Sequence, residues 1–203
     1  MKGRFVILFV FSFLIGLTSN VFAKTYALLI GIDEYPGLKK KLQLADKNHK
    51  GVGVYMMKEL LQNKYNVKEI DIVLNKEATR ENILKKLESY INNNELTSSD
   101  TFLLYYTGHG ICVDSKNNDE ALDEAIVCYD FGFAINGKLS PRNIVIDDEI
   151  GSIIRRIKSN SGAKVVFIAD TCHSGTPDRS LSSNSDDDSD ENFVLPDTIT
   201  MGL

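Results

Sequence analysis

Short, wholly apolar runs alternate along this chain with segments whose apolar residues recur at helical spacing. That alternation restricts the fold more than any other feature of the sequence. Tyr26 to Ile32, Thr101 to Thr107 and Lys164 to Asp170 each read as a short apolar strand, and Ile70-Asp71-Ile72-Val73-Leu74 as a short β-like run. Between them, Val52, Tyr55, Met56, Leu60 and Leu61 mark the apolar positions of a helix within Ala45 to Gln62. Thr79, followed by Glu81, opens a second helix with Ile83, Leu84 and Leu87 on its apolar face, running to about Ile91. A third helix spans about Asp147 to Lys158. A polar loop and a further β-like piece, Ala125 to Tyr129, lie between the strand at Thr101 and the strand at Lys164. Strands that are apolar throughout are buried on both faces, so the pattern predicts an α/β fold, a mostly parallel sheet flanked by helices on both faces.

The 203 residues suffice for one such domain. Net charge is −5 and no stretch gathers Lys and Arg into a basic footprint, which removes nucleic acid as an expected partner. Residues 1–23 have the form of a secretory signal peptide: Lys2 and Arg4, an apolar run from Phe5 to Leu17, then Val21-Phe22-Ala23. The run is shorter than the roughly 20 residues of a membrane span. Cleavage after Ala23 is expected, giving an exported protein, periplasmic or secreted, with no membrane attachment once the signal is removed. The mature chain then divides into a domain at residues 24–179 and, at 180–203, a Ser- and acid-rich disordered segment followed by a few apolar residues. Three cysteines, Cys112, Cys128 and Cys172, leave at least one thiol unpaired within a monomer. Cys112 and Cys128 are open to two readings, a disulfide or two buried free thiols.

In parallel sheets chemistry gathers at the carboxyl ends of the strands. Two candidate segments sit there: Gly108-His109-Gly110 after one strand and Thr171-Cys172-His173-Ser174-Gly175 after another. A thiol attacks a carbonyl as thiolate, so it needs an adjacent base and donors for the developing oxyanion. His109 is the candidate base, Cys172 the candidate nucleophile, and the backbone N–H groups of Gly110 and Cys172 the candidate oxyanion donors. A cysteine phosphatase would carry Arg six residues after the nucleophile, where this chain has Asp178. A cysteine-type α/β-hydrolase would need glycines where Asp170 and Ser174 stand.

Tyr105-Tyr106-Thr107-Gly108-His109-Gly110 together with Asp170-Thr171-Cys172-His173-Ser174-Gly175 resembles the metacaspases and related bacterial caspase-like peptidases of the caspase-hemoglobinase fold. Ala27 to Ile32, Asp123-Glu124-Ala125 and Ile146 to Ile150 agree with that pattern in order, and the resemblance covers roughly Lys24 to Gly175. It implies a cysteine endopeptidase acting on polypeptides through a Cys172–His109 dyad. It also implies Asp170 as the floor of the S1 pocket, and hence cleavage after Arg or Lys. Where family members carry an Asp-Ala pair on the first helix this chain has Asn48-His49, leaving Asp46 as the candidate second pocket acid. No cofactor is required for the chemistry. Asp123, Asp147 and Asp148 match the family's calcium ligands and make calcium the expected regulatory ion, with Asp178 near a fourth position. Acids at 147 and 148 would equally suit the first turn of a helix.

Caspase-like domains continue past the nucleophile strand, with further strands that build one wall of S1. Phe193-Val194-Leu195 and Ile199 are too few for two of these. The chain is therefore expected to be a large-subunit portion lacking the last strands. Its bare sheet edge would be completed by a small-subunit segment or covered by self-association. The alternative function is a catalytically idle domain serving as a binding or regulatory module.

Overall fold

A computed structural model describes residues 23–38, 50–115, 122–135, 139–171 and 200–201. The signal-peptide reading of residues 1–22 falls outside them, as do Asp46, Cys172 and Asp178.

The order of elements is β1 (Thr25–Gly31), α1 (Val52–Lys64), β2 (Val67–Leu74), α2 (Arg80–Ile91), β3 (Thr101–Thr107), β4 (Gly110–Asp114), β5 (Leu122–Ile135), β6 (Leu139–Ile146), α3 (Asp147–Ser161), β7 (Lys164–Asp170) and β8 (Thr200–Met201). Strands β2-β1-β3-β7 form a central sheet in that spatial order, and every pair is parallel. All seven residues of β1 are buried, which explains why its sequence alternates with nothing polar. Its even-numbered side chains, Tyr26, Leu28 and Ile30, join Phe102, Leu104 and Tyr106 of β3 in a core capped by Ile83 and Leu87 of α2 and Ile153 and Ile157 of α3. Ala27 and Leu29 face the other way and meet Val54 and Leu61 of α1 with Tyr105 of β3. Helices therefore cover both faces, as the alternation predicts.

Each helix start has a local cause. The Thr79 hydroxyl accepts from Asn82 N at 3.3 Å and caps α2. Glu149 reaches back to the Ile146 N–H at 3.2 Å at the head of α3 and pairs with Arg80 of α2. At α1, the Asp33 carboxylate accepts from Gly51 N at 2.7 Å, so the loop leaving β1 holds the helix that covers it.

Two expectations are corrected and one open alternative is settled. On α1 the predicted apolar face is largely reversed: Val52, Tyr55, Met56 and Leu60 are exposed, Met56 by 66%, while Val54, Met57 and Leu61 turn to the sheet. The segment expected to be a polar loop with a short β-like piece is instead a second sheet, β6-β5-β4-β8, with antiparallel pairing throughout. Its β5 runs from Leu122 to Ile135, and its pairing with β6 shifts register between Val127 and Gly132, which breaks the sequence pattern a longer strand would show. Of the two readings of Cys112 and Cys128, both residues are free, buried thiols. Burial pushes both thiols up; at Cys112 Glu124 and Asp147 add to the effect, and at Cys128 Asp130 does. In the stretch expected to hold too little for two strands, Thr200–Met201 forms one short strand against β4.

The two faces of α1 and the core of β3 separate cleanly in a denaturant titration. Leu104→Ala, at a fully buried position, should cost about 2–5 kcal/mol. Met56→Ala should stay within about 0.5 kcal/mol. Equal losses at the two positions would mean that the outer face of α1 is covered.

Candidate active site

β3 and β7 are neighbours in exact parallel register from Thr101↔Lys164 to Thr107↔Asp170. Beyond the strand ends, Gly108 N donates to Asp170 O at 3.4 Å. The chain that carries His109 and the chain that leads to Cys172 therefore emerge side by side from the same edge of the sheet. Cys172 lies two residues past the last residue of β7, outside the described residues.

His109 is 2% exposed, and its surroundings are built from two tyrosines. Its ring packs on Tyr35 with centroids 4.8 Å apart and planes tilted by 38°. Its backbone N–H donates to the Tyr35 hydroxyl at 2.7 Å. The Tyr106 hydroxyl lies 2.7 Å from His109 O and 3.0 Å from Val127 O. Burial raises both phenols well above their ordinary range, so each keeps its proton. Gly108 is the residue this arrangement permits: a Cβ there would sit 2.5 Å from the Tyr106 hydroxyl and 2.6 Å from that of Tyr35.

The same contacts orient Gly110. Val127 N donates to His109 O at 3.0 Å, so His109 and Val127 are a hydrogen-bonded pair of the β4–β5 ladder, and the next pair, Gly110↔Ile126, is a non-hydrogen-bonded one. The Gly110 N–H accordingly points away from β5, as an oxyanion donor must.

Asp170 ends β7 on the α1 side of the sheet, exposed, and accepts from the Tyr105 hydroxyl at 3.2 Å. Burial first, then the Asp170 charge, raises the Tyr105 phenol. The acidic candidates occupy another place, around the start of β5 and of α3. Asp123 is 1% exposed, and its Oδ1 has no hydrogen-bond partner among the described residues. Asp147 is raised by burial and by the charges of Asp148 and Asp123. A buried, unsatisfied carboxylate oxygen beside two further acids is the chemistry that a hard cation relieves. Among the described residues, however, no group of three or more potential ligands converges as a finished cage. Sequence reasoning missed Tyr35; the signal available was a large aromatic in the otherwise turn-forming stretch from Asp33 to Gly37.

The family model for the metacaspase, peptidase C14 domain matches residues 25–177. The chain belongs to the metacaspase family. Curated metacaspases align over most of it: Metacaspase-1 of Meyerozyma guilliermondii is 29% identical over 78% of this chain, and Metacaspase-7 of Arabidopsis thaliana is 28% identical over 73%. The alignments cover 37% and 34% of those proteins, so the chain spans about a third of the length of the curated relatives it matches. A solved structure of a Geobacter sulfurreducens protein, 23% identical, covers 75% of this chain and 52% of that one with a TM-score of 0.53, a likeness of fold. The matching model is that of a peptidase domain.

Proposed function

We propose that this metacaspase is an endopeptidase working through a Cys172–His109 dyad and cutting after Arg or Lys. The observation that carries the reading is the in-register pairing of β3 with β7, which brings the Gly108-His109-Gly110 loop beside the segment entering Cys172. His109 takes the thiol proton and the thiolate attacks the scissile carbonyl carbon. The N–H groups of Gly110 and Cys172 hold the resulting oxyanion. His109 then gives its proton to the departing amine, and water hydrolyses the thioester. At the end of β7, the Asp170 carboxylate is a fixed negative charge for a basic P1 side chain, with Asp46 as the proposed second acid. Export is proposed on the signal-like form of residues 1–23, and N-terminal sequencing of the mature protein checks it, with cleavage expected after Ala23.

Fluorogenic peptides ending in Arg, Lys or Asp test the dyad and the pocket together. Cys172→Ala should abolish turnover, and His109→Ala should lower kcat/KM by about 10²–10⁴-fold. Asp170→Asn should weaken Arg and Lys substrates selectively. Turnover surviving in Cys172→Ala would overturn the mechanism, and a preference for Asp at P1 would overturn the pocket.

Calcium is proposed as a regulator and not as a reactant, because no step above needs a Lewis acid. Asp123, with its buried unpaired oxygen, would hold the ion together with Asp147 and Asp148. Added calcium should raise Tm in the wild-type protein and leave Tm of Asp123→Asn unchanged. A wild-type Tm indifferent to calcium and to chelator would leave Asp147 and Asp148 with the helix-start role alone.

The free side of β7 is proposed to take a further strand-bearing segment, in the manner of a small subunit. Among the described residues β7 pairs with β3 alone, and Phe167 and Ile168 are 37% and 38% exposed. An unpaired edge with apolar side chains on both faces is a template for pairing. Light scattering should show concentration-dependent association of the chain by itself, reduced by Phe167→Lys. A monodisperse monomer with full turnover would contradict this.

A further inference from the structure

In an antiparallel ladder, a hydrogen-bonded pair exchanges two N–H···O bonds. His109 and Val127 exchange one: Val127 N donates to His109 O, whereas His109 N donates to the Tyr35 hydroxyl and Val127 O faces the Tyr106 hydroxyl. A pair of phenols is thus inserted where the second ladder bond would be. Proton counting fixes the direction of each bond. A carbonyl only accepts, so the single Tyr106 proton goes to the His109 and Val127 oxygens it faces. An amide N–H only donates, so the Tyr35 oxygen accepts from His109. The two hydroxyls thus hold the His109 backbone at both ends, Tyr35 at its N–H and Tyr106 at its carbonyl. The face of the Tyr35 ring meanwhile lies against the imidazole. The hydroxyls reach these positions because residue 108 has no side chain.

We infer that Tyr35 and Tyr106 are positioning residues for the general base: their hydroxyl pair replaces a ladder bond beside His109 and thereby sets the backbone and ring orientation from which the imidazole meets Cys172. This inference rests on the dyad reading above. Both phenols contact His109, Tyr35 at the His109 backbone N–H and ring and Tyr106 at the His109 carbonyl. Their effect passes through His109, and it should appear in the protonation behaviour of the Cys172 thiol as well as in turnover.

The test is peptide-resolved alkylation of Cys172 by iodoacetamide as a function of pH in the full chain, with kcat/KM measured in parallel. Cys112 and Cys128 are buried and provide slow internal comparisons. His109→Ala should move the Cys172 profile to that of an ordinary thiol near pH 8.5. Tyr35→Phe and Tyr106→Phe remove one oxygen each. Either should move the profile part of that distance and lower kcat by about tenfold at unchanged KM, a fraction of what general-base catalysis supplies. The double variant should cost less than the sum of the single ones, since both hydroxyls hold the backbone of the same residue. Independent, additive losses that track falling Tm would assign the phenols to stability alone and overturn the inference, even where one variant folds poorly. So would unchanged profiles in both single variants while His109→Ala shifts its own. A His109→Ala profile identical to wild type would overturn the dyad itself, and the positioning role with it.

Discussion

The parallel bond ladder between β3 and β7 is the constraint on which everything else here depends. Parallel neighbours emerge from a sheet in the same direction, so two loops that are far apart in sequence leave the same edge together. The Gly108 N–H continues the ladder one bond past the strands, to the Asp170 carbonyl. A shift of one residue in that register would turn Asp170 away from the Tyr105 side of the sheet and carry the Cys172 segment past the His109 loop. The register is held by the apolar side chains on both faces, Leu104 and Tyr106 toward α2 and α3, Leu103 and Tyr105 toward α1. Core packing and catalytic geometry are therefore one requirement in β3.

The second sheet extends this logic to the histidine. β4 begins at Gly110, immediately after His109, and pairs with β5. The loop that carries the base is thus tied at one end to the parallel sheet and at the other to the antiparallel one. The Tyr35 and Tyr106 hydroxyls fill the join, and Gly108 is the residue that lets them close on it. The acids at Asp123, Asp147 and Asp148 lie on the same second sheet and the helix that follows it.

Much of this was legible in the sequence, for a physical reason that also explains the misses. Strands β1 and β3 were readable because burial on both faces leaves uninterrupted apolar runs, β7 because Val165 to Ala169 is an apolar run even at the largely exposed edge of the sheet, and α2 because Thr79 is a cap followed by a regular apolar stripe. On α1, periodicity identified a stripe but not which stripe meets the sheet. Val52, Tyr55, Met56 and Leu60 outweigh Val54, Met57 and Leu61 in apolar area, yet face outward. The antiparallel sheet was hidden because β5 carries Asp123, Glu124 and Asp130 and is interrupted by its register shift, so no short window of it alternates. His109 was legible as a motif. Tyr35 was not, because its partner is 74 positions away and nothing local to Asp33–Gly37 indicates a contact at that distance. The placement of Cys172 rests on where β7 ends.

The most direct measurement is a crystal structure of the protein after reaction with an arginyl chloromethyl ketone. The account predicts a covalent bond to Cys172 Sγ, the arginine side chain beside Asp170, and the His109 imidazole within hydrogen-bond reach of the reacted sulfur with Tyr35 still against its ring. An adduct on Cys112 or Cys128, or a His109 ring remote from the modified sulfur, would contradict it.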